Sequence, residues 1–141
     1  MKRILFLCTA NSCRSQMAEG LARHFGGPAL EVQSAGLMSA QVHPLAVAVM
    51  KELGIDISGQ HSKSLEAEHL GRADIVVALC EPAQRLCPPP YTGLKWLFWP
   101  TPDPVGTGAT EQERLEAFRA TRDLLKRKVL ALLKEEGLLR D

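Results

Sequence analysis

The chain has 141 residues and a net charge of +1, which is enough length for one domain with its own apolar core. The balanced charge argues against a nucleic-acid-binding surface, no apolar stretch approaches the roughly 20 residues of a membrane span, and the N-terminal apolar run is too short for a signal peptide. We therefore expect a single cytoplasmic domain over residues 1–141 whose four cysteines are reduced and available for chemistry.

Strand-like and helix-like segments alternate in the first part of the chain. Residues 4–7 form a continuous apolar run, which is typical of a strand buried on both faces of a parallel sheet. Residues 14–25 have helical spacing of apolar side chains and end at a Gly-Gly-Pro sequence. Residues 30–34 alternate in polarity, which predicts a second strand.

The same alternation continues to the C-terminus. Pro44 begins a second predicted helix, and the apolar runs 75–79 and 94–99 predict two further strands. A long helix follows, because Thr110 and Glu113 have the spacing of a capping box ahead of a buried leucine-rich stripe.

This order of elements predicts an α/β fold. We expect one four-stranded parallel sheet with helices on both faces, layered as in flavodoxin-like proteins. Ligands of such sheets bind beyond the C-terminal ends of the strands. Cys8 ends the first predicted strand and Cys80 follows the third, so both thiols can face one site.

The segment between the first strand and the first helix, residues 8–15, reads Cys-Thr-Ala-Asn-Ser-Cys-Arg-Ser. A tight loop leading into a helix turns its backbone N–H groups inward and forms a concave anion site. Arg14 adds a permanent planar cation that matches two oxygens of a tetrahedral anion. This field favours the thiolate of Cys8 as a nucleophile, with Ser15 donating to the sulfur. The predicted oxyanion-binding residues are Thr9, Ala10, Asn11, Ser12, Cys13, Arg14 and Ser15.

Two other phosphate-binding loops do not fit this segment. A Walker loop needs a Gly-Lys-Ser/Thr sequence, and a dinucleotide-binding loop needs glycines that are missing here. A flavin or nucleotide cofactor is therefore not expected.

A second pair of thiols, Cys80 and Cys87, follows the third predicted strand. On a regular helix their spacing leaves them two turns apart, so a disulfide between them needs this segment to unwind. Pro82 and the prolines at 88–90 argue against a rigid helix here, and the spacing does not match a zinc site. The pair fits either inert buried cysteines or, together with Cys8, a relay of thiols; the third thiol favours the relay.

Asp103 lies in a loop rich in proline and glycine between the last strand and the last helix. This loop belongs to the same edge of the predicted sheet as Cys8. A carboxyl group here either forms a turn or protonates a leaving oxygen, and the residues alone leave both roles open.

Taken in order, these motifs resemble the thioredoxin-coupled arsenate reductases, which have the fold of the low-molecular-weight protein tyrosine phosphatases. The resemblance covers nearly the whole chain: the anion loop, Ser34-Ala35-Gly36, the cysteine pair and Asp103-Pro104. The cysteine pair and Gln16, where the phosphatases usually carry proline, favour the reductases. Val105-Gly106-Thr107 stands where the phosphatases commonly carry aromatic residues for phosphotyrosine.

The resemblance implies a mechanism and two partners. Cys8 attacks arsenate in the loop while Asp103 supplies a proton to the departing hydroxide. Cys80 then attacks the sulfur of Cys8 and arsenite leaves, after which Cys87 attacks Cys80 and leaves a Cys80–Cys87 disulfide for thioredoxin. Thioredoxin is the external reductant, and phosphate or sulfate can replace arsenate in the loop. No cofactor, nucleic acid or membrane is implied, and we expect a monomer.

Two other functions stay open. One is a low-molecular-weight protein tyrosine phosphatase that acts through a phosphocysteine intermediate on Cys8. The other is a non-catalytic oxyanion carrier, which needs neither the cysteine pair nor an acid.

Some members of the resembling family bind potassium near the anion loop through Asn, Glu, Ser and a distal Asp. Asn11, Glu19 and Ser34 match three of these positions, whereas Lys63 stands where the Asp would be. We therefore expect the ammonium to replace the cation, with no metal site and no requirement for potassium.

Overall fold

The computed structural model describes residues 1–85 and 94–140. Four strands and five helices alternate along these residues. In chain order they are β1 (Lys2–Cys8), α1 (Arg14–Phe25), β2 (Leu30–Gly36), α2 (Pro44–Lys51), α3 (Ala67–Arg72), β3 (Ile75–Ala78), α4 (Glu81–Gln84), β4 (Lys95–Phe98) and α5 (Glu111–Glu135).

The strands form one parallel sheet in the order β2-β1-β3-β4, which confirms the predicted fold class. The central strand β1 pairs with β2 on one side, where Cys8 lies opposite Gly36. It pairs with β3 on the other side, where Leu7 lies opposite Ala78. The C-terminal end of β1 is therefore flanked by the ends of both neighbouring strands.

The core is divided between the two faces of the sheet because side chains alternate along β1. Ile4, Phe6 and Cys8 belong to the larger cluster, which the helices α1, α2 and α5 cover. Leu5 and Leu7 belong to a smaller cluster on the opposite face, with side chains from α3 and α4. Helices on both faces are thus confirmed.

Several helix ends follow from local side-chain chemistry. The imidazole of His43 accepts a hydrogen bond from the Leu45 N–H and caps α2, with Pro44 as the first helical residue. Thr110 and Glu113 form the predicted capping box of α5. The short helices α3 and α4 were not predicted.

A short helix, Glu81–Gln84, follows Cys80 although position 82 is a proline. Pro82 lies in the first turn of α4, where a missing N–H removes no intrahelical hydrogen bond. The strand predicted over 75–79 ends at Ala78, and the one over 94–99 is limited to Lys95–Phe98. Among the helices of residues 1–85 and 94–140, none has both the length and the apolar content to span a membrane.

Candidate active site

Cys8 is the last residue of the central strand, and its side chain is buried at the start of the anion loop. Its Sγ lies 2.8 Å from the Ser15 Oγ, in the first turn of α1. The strand therefore supplies the sulfur and the helix that follows the loop supplies a hydroxyl group beside it, as the sequence predicts.

Asn11 holds the middle of the loop in a left-handed conformation, with φ of 51°. Its side chain is fully buried, and its Oδ1 accepts a hydrogen bond from the backbone N–H of Lys63 at 2.7 Å. Its Nδ2 donates to the Oγ of Ser15 at 2.7 Å and to the Oγ of Ser34 at 2.9 Å. These bonds tie the loop to α1, to β2 and to the segment around Lys63.

The end of β2 passes close behind the loop, which explains a glycine at position 36. A Cβ at this position would lie 2.6 Å from the backbone nitrogen of Asn11 and 2.8 Å from the carbonyl carbon of Ala10. Two backbone segments cannot separate to admit a methyl group without moving the loop, so Gly36 is needed for this approach.

Arg14 is buried and lies between the loop and the acid-bearing segment. Its Nη1 donates to the backbone oxygen of Thr101 at 3.0 Å, and its Nη2 lies 3.7 Å from the Oδ2 of Asp103. Its Nε is buried and has no hydrogen-bond partner among the described residues. A buried guanidinium donor of this kind is suited to an oxyanion ligand.

Cys80 lies at the same edge of the sheet as Cys8. It is the N-cap residue of α4, its side chain is buried, and its Sγ accepts a hydrogen bond from the Thr9 Oγ1 at 3.4 Å. Thr9 follows Cys8 directly, so the second thiol contacts the anion loop. Cys87, the third thiol of the predicted relay, lies outside the described residues.

Asp103 forms a turn contact and also faces the anion loop. Its Oδ1 accepts a hydrogen bond from the Val105 N–H at 3.0 Å, which is a turn contact. Its Oδ2 lies 3.7 Å from the Nη2 of Arg14, and 51% of its side-chain surface is exposed. The carboxyl group is therefore oriented by a turn and directed towards the anion loop.

Cys13 is a buried thiol that remains protonated. Its Sγ lies 3.8 Å from the Asp103 Oδ1. Burial, followed by the negative charges of Asp103 and Cys8, raises the pKa of Cys13 to about 12. Near neutral pH this thiol is a weak hydrogen-bond donor rather than a second nucleophile.

Lys63 lies beside the residues that the resemblance links to potassium. Its Nζ is 3.8 Å from the Oε1 of Glu19, which also accepts a hydrogen bond from Ser34 at 2.5 Å. Arg23 contacts the other oxygen of the same buried carboxylate at 2.5 Å. Burial lowers the pKa of Lys63, and the charge of Glu19 opposes this effect. The Lys63 ammonium therefore lies beside Glu19, one of the residues that the resemblance links to potassium.

A hollow of about 400 Å³ opens next to the loop. It brings together the guanidinium of Arg14, the thiol of Cys80 and several apolar side chains. Its lining includes Arg14, Leu79, Cys80, Phe98, Thr101 and Pro102. Within residues 1–85 and 94–140, no group of three or more His, Cys, Asp or Glu side chains is arranged to hold a metal ion.

Three groups make contacts at the site that were not predicted from the sequence. They are the hydroxyl of Thr9, the backbone oxygen of Thr101 and the side-chain amide of Gln16, which contacts Asn11. The position of Thr9 beside Cys8 was a usable signal for the first. The other two contacts depend on tertiary packing that no local pattern indicates.

Comparisons with known proteins agree with this geometry. The arsenate reductase of Halalkalibacterium halodurans is 43% identical over 91% of this chain and 92% of its own length. The glutaredoxin arsenate reductase of Synechocystis sp. is 42% identical over 94% of this chain and 97% of its own length. A solved structure of an arsenate reductase in the phosphate-binding state superposes with a TM-score of 0.83 and 41% identity, covering 96% of this chain and 98% of that chain.

The family model for low molecular weight phosphotyrosine protein phosphatases matches residues 3–140, which is nearly the whole chain. The parallel sheet, the Cys-x5-Arg loop after its central strand and the aspartate loop opposite are all included in that range. The chain therefore belongs to the low molecular weight phosphotyrosine protein phosphatase family.

Proposed function

We propose that this protein reduces arsenate to arsenite and that Cys8, Cys80 and Cys87 transfer two electrons to the arsenic, which leaves a Cys80–Cys87 disulfide. One observation carries the proposal: the Sγ of Cys80 lies 3.4 Å from the Thr9 Oγ1, at the loop that begins with Cys8. Hydrolysis of a phosphate ester needs one thiol at this loop, whereas reduction of an oxyanion needs a second thiol close by. The similarity to arsenate reductases over most of the chain supports the same activity.

The first step is a substitution at arsenic. The backbone N–H groups of the loop and Arg14 hold three oxygens of arsenate, and the Cys8 thiolate attacks the arsenic. A bond between sulfur and arsenic forms while a hydroxide leaves, and Asp103 gives this hydroxide a proton so that water departs. The buried Nε of Arg14 and the orientation of the Asp103 Oδ2 towards Arg14 support these roles.

The second step transfers two electrons to arsenic. The Cys80 thiolate attacks the sulfur of Cys8, and the electron pair of the sulfur–arsenic bond stays on arsenic, which leaves as arsenite. Cys8 and Cys80 are then joined by a disulfide. The hydrogen bond from Thr9 to the Cys80 sulfur favours the thiolate that this attack requires.

The third step restores Cys8. Cys87 attacks the sulfur of Cys80, Cys8 leaves as a thiolate, and a dithiol protein reduces the Cys80–Cys87 disulfide. We propose thioredoxin as this reductant; a relative named as a glutaredoxin arsenate reductase makes glutaredoxin the competing candidate.

The direct test measures the arsenate-dependent oxidation of reduced thioredoxin, with glutathione and glutaredoxin in a parallel series. The chain with its native residues should turn over many times. Cys80→Ser should stop at the first step, and Cys87→Ser should give no more than one arsenite per chain, held as a Cys8–Cys80 disulfide. Multiple turnovers by Cys87→Ser would exclude the relay.

A second candidate function, hydrolysis of phosphate monoesters, uses the same loop and is favoured by the family to which the chain belongs. It would proceed through a phosphocysteine on Cys8 and would not need Cys80. Val105 offers no aromatic ring for a phosphotyrosine substrate. An aryl phosphate distinguishes the two candidates: rapid hydrolysis without arsenate-dependent thiol oxidation would make the phosphatase the main activity.

A further inference from the structure

Two glutamine side chains, the buried Gln16 and the half-buried Gln60, lie behind the anion loop. The Nε2 of Gln16 is 3.0 Å from the backbone oxygen of Asn11, 2.9 Å from the Asn11 Oδ1 and 3.0 Å from the backbone oxygen of His61. All three neighbours are acceptors, so the nitrogen of this amide must face them. Gln60 donates through its Nε2 to the Gln16 Oε1 at 2.7 Å and fixes the other end of the amide.

Gln16 and the backbone N–H of Lys63 together determine the orientation of the Asn11 amide. The Asn11 Oδ1 accepts from Gln16 and from the backbone N–H of Lys63, which can only donate. The Nδ2 of Asn11 must therefore face the hydroxyl oxygens of Ser15 and Ser34, to which it donates at 2.7 and 2.9 Å.

The orientation of Asn11 in turn leaves the Ser15 hydrogen available to the nucleophile. Because the Nδ2 of Asn11 donates to the Ser15 Oγ, the single hydrogen of that hydroxyl group can point at the Cys8 Sγ, 2.8 Å away. A Cys8 thiolate can only accept, so with the thiolate the hydrogen bond runs from Ser15 to the sulfur and stabilises the negative charge.

We propose that Gln16 is a positioning residue for Cys8: its side-chain amide fixes Asn11, and through Asn11 it keeps the Ser15 hydroxyl group directed at the Cys8 sulfur. The inference rests on the proposed function only in taking Cys8 as the nucleophile. Gln16 is fully buried and makes these contacts without touching the oxyanion site itself. Proline, which the phosphatases of this fold usually carry here, has no side-chain donor and cannot act in this way.

The test follows the alkylation of Cys8 by iodoacetamide as a function of pH in a full-length chain carrying Cys80→Ser and Cys87→Ser. Cys13 does not interfere, because its pKa is raised to about 12. Gln16→Met keeps the length of the side chain and removes the donor. We expect alkylation at pH 7 to slow about three- to tenfold, since a hydrogen bond to a charged group is weakened. At the alkaline end of the profile, where each chain reaches its plateau rate, the two rates should converge.

Two further variants separate positioning from stability. Gln60→Met removes the hydrogen bond that holds the Oε1 of Gln16 and leaves the three donor contacts of Gln16 in place. The Gln16 amide is then held less firmly, so we expect a smaller slowing of about twofold. Gln33→Met changes an exposed glutamine on β2 in the same chemical way and should leave the profile unchanged. A variant that is merely less stable would not show alkylation shifted to higher pH while its maximal alkylation rate stays native.

The outcomes are decisive without arsenate or a reductant. A folded Gln16→Met chain with the native alkylation profile would overturn the inference. If Gln16→Met does not fold, an unchanged profile in Gln60→Met would overturn it and a shifted profile would support it. Because the assay contains neither arsenate nor thioredoxin, failure of the proposed reductase activity would leave this result readable.

Discussion

The hydroxyl group of Thr9 donates a hydrogen bond to the sulfur of Cys80 at 3.4 Å, although the two residues are 71 positions apart. The contact joins the residue after the attacking thiol to the thiol that must act second. It exists because β1 and β3 are neighbours in the sheet and both end at this edge. The thiol proposed to act second therefore contacts the residue next to the thiol proposed to act first.

This contact predicts a selective defect in the second step. Thr9→Val preserves the shape of the side chain and removes the donor, so the Cys80 thiolate loses a stabilising hydrogen bond. In a Cys87→Ser background, arsenite release in a single turnover should slow roughly tenfold. Thr9→Ser keeps the hydroxyl group and should retain most of the rate. Equal rates in the two variants would remove Thr9 from the mechanism.

Gly36 predicts a structural limit on the loop. Gly36→Ala places a methyl group against the backbone of Ala10 and Asn11, which cannot move independently of the anion site. We expect a loss of roughly 1–3 kcal/mol in the free energy of unfolding, together with weaker phosphate binding. Gly59→Ala is the matched control, because a Cβ there meets nothing within 4 Å. Urea unfolding and phosphate titration measure both effects.

From the position of Lys63 we predict how the activity responds to potassium. If its ammonium replaces the cation, exchanging choline chloride for potassium chloride at equal ionic strength should leave the native activity unchanged. Lys63→Asp would put a second carboxylate near Glu19, now 3.8 Å from the Lys63 Nζ, so its activity should fall and recover several-fold with potassium. Strong activation of the native chain by potassium would contradict the prediction.

Glu52 predicts a pH dependence of stability away from the active site. Hydrogen bonds from Arg119 and then Arg122 lower the pKa of Glu52 from 4.5 to about 2, which links the end of α2 to α5. Since the folded pKa is below the unfolded one, this stabilisation is complete above about pH 4.5 and is lost as the pH falls towards 2.

The measurement compares thermal midpoints of the native chain and Glu52→Gln between pH 7 and pH 2. The variant should be less stable at pH 7, and the difference should shrink below pH 4.5 and disappear near pH 2. If the difference between the two thermal midpoints stayed constant over this pH range, the charge of the Glu52 carboxylate would not be its cause.

Much of the fold could be predicted because local chemistry and tertiary packing agree. The continuous apolar run of β1, the capping box of Thr110 and Glu113, and the Pro44 start of α2 each correspond to an element found in the structure. The short helices could not be predicted in the same way. Ala67–Arg72 is too short for a helical period to be recognised, and Pro82 indicates a break or a first turn equally well.

In the candidate site, too, local contacts could be predicted from the sequence and contacts between distant segments could not. The nucleophile, the arginine and the adjacent serine lie within eight residues, so their proximity follows from one loop. The contact of Thr9 with Cys80 and the bond from Arg14 to the Thr101 oxygen depend on which strands are neighbours. The sequence predicts a shared edge of the sheet, but not which atoms meet there.

The direct pairing of β1 with β3 also has consequences for thermal unfolding and for sequence changes in the surface loops. The backbone spacing of adjacent strands, about 4.8 Å, holds the end of β1, which bears Cys8, close to the end of β3, two residues before Cys80. Surface loops can therefore lengthen or change composition without separating the donor and acceptor of the electron pair. Because these strands form the middle of the sheet, we expect the ends of β1 and β3 to stay together for as long as the sheet is folded.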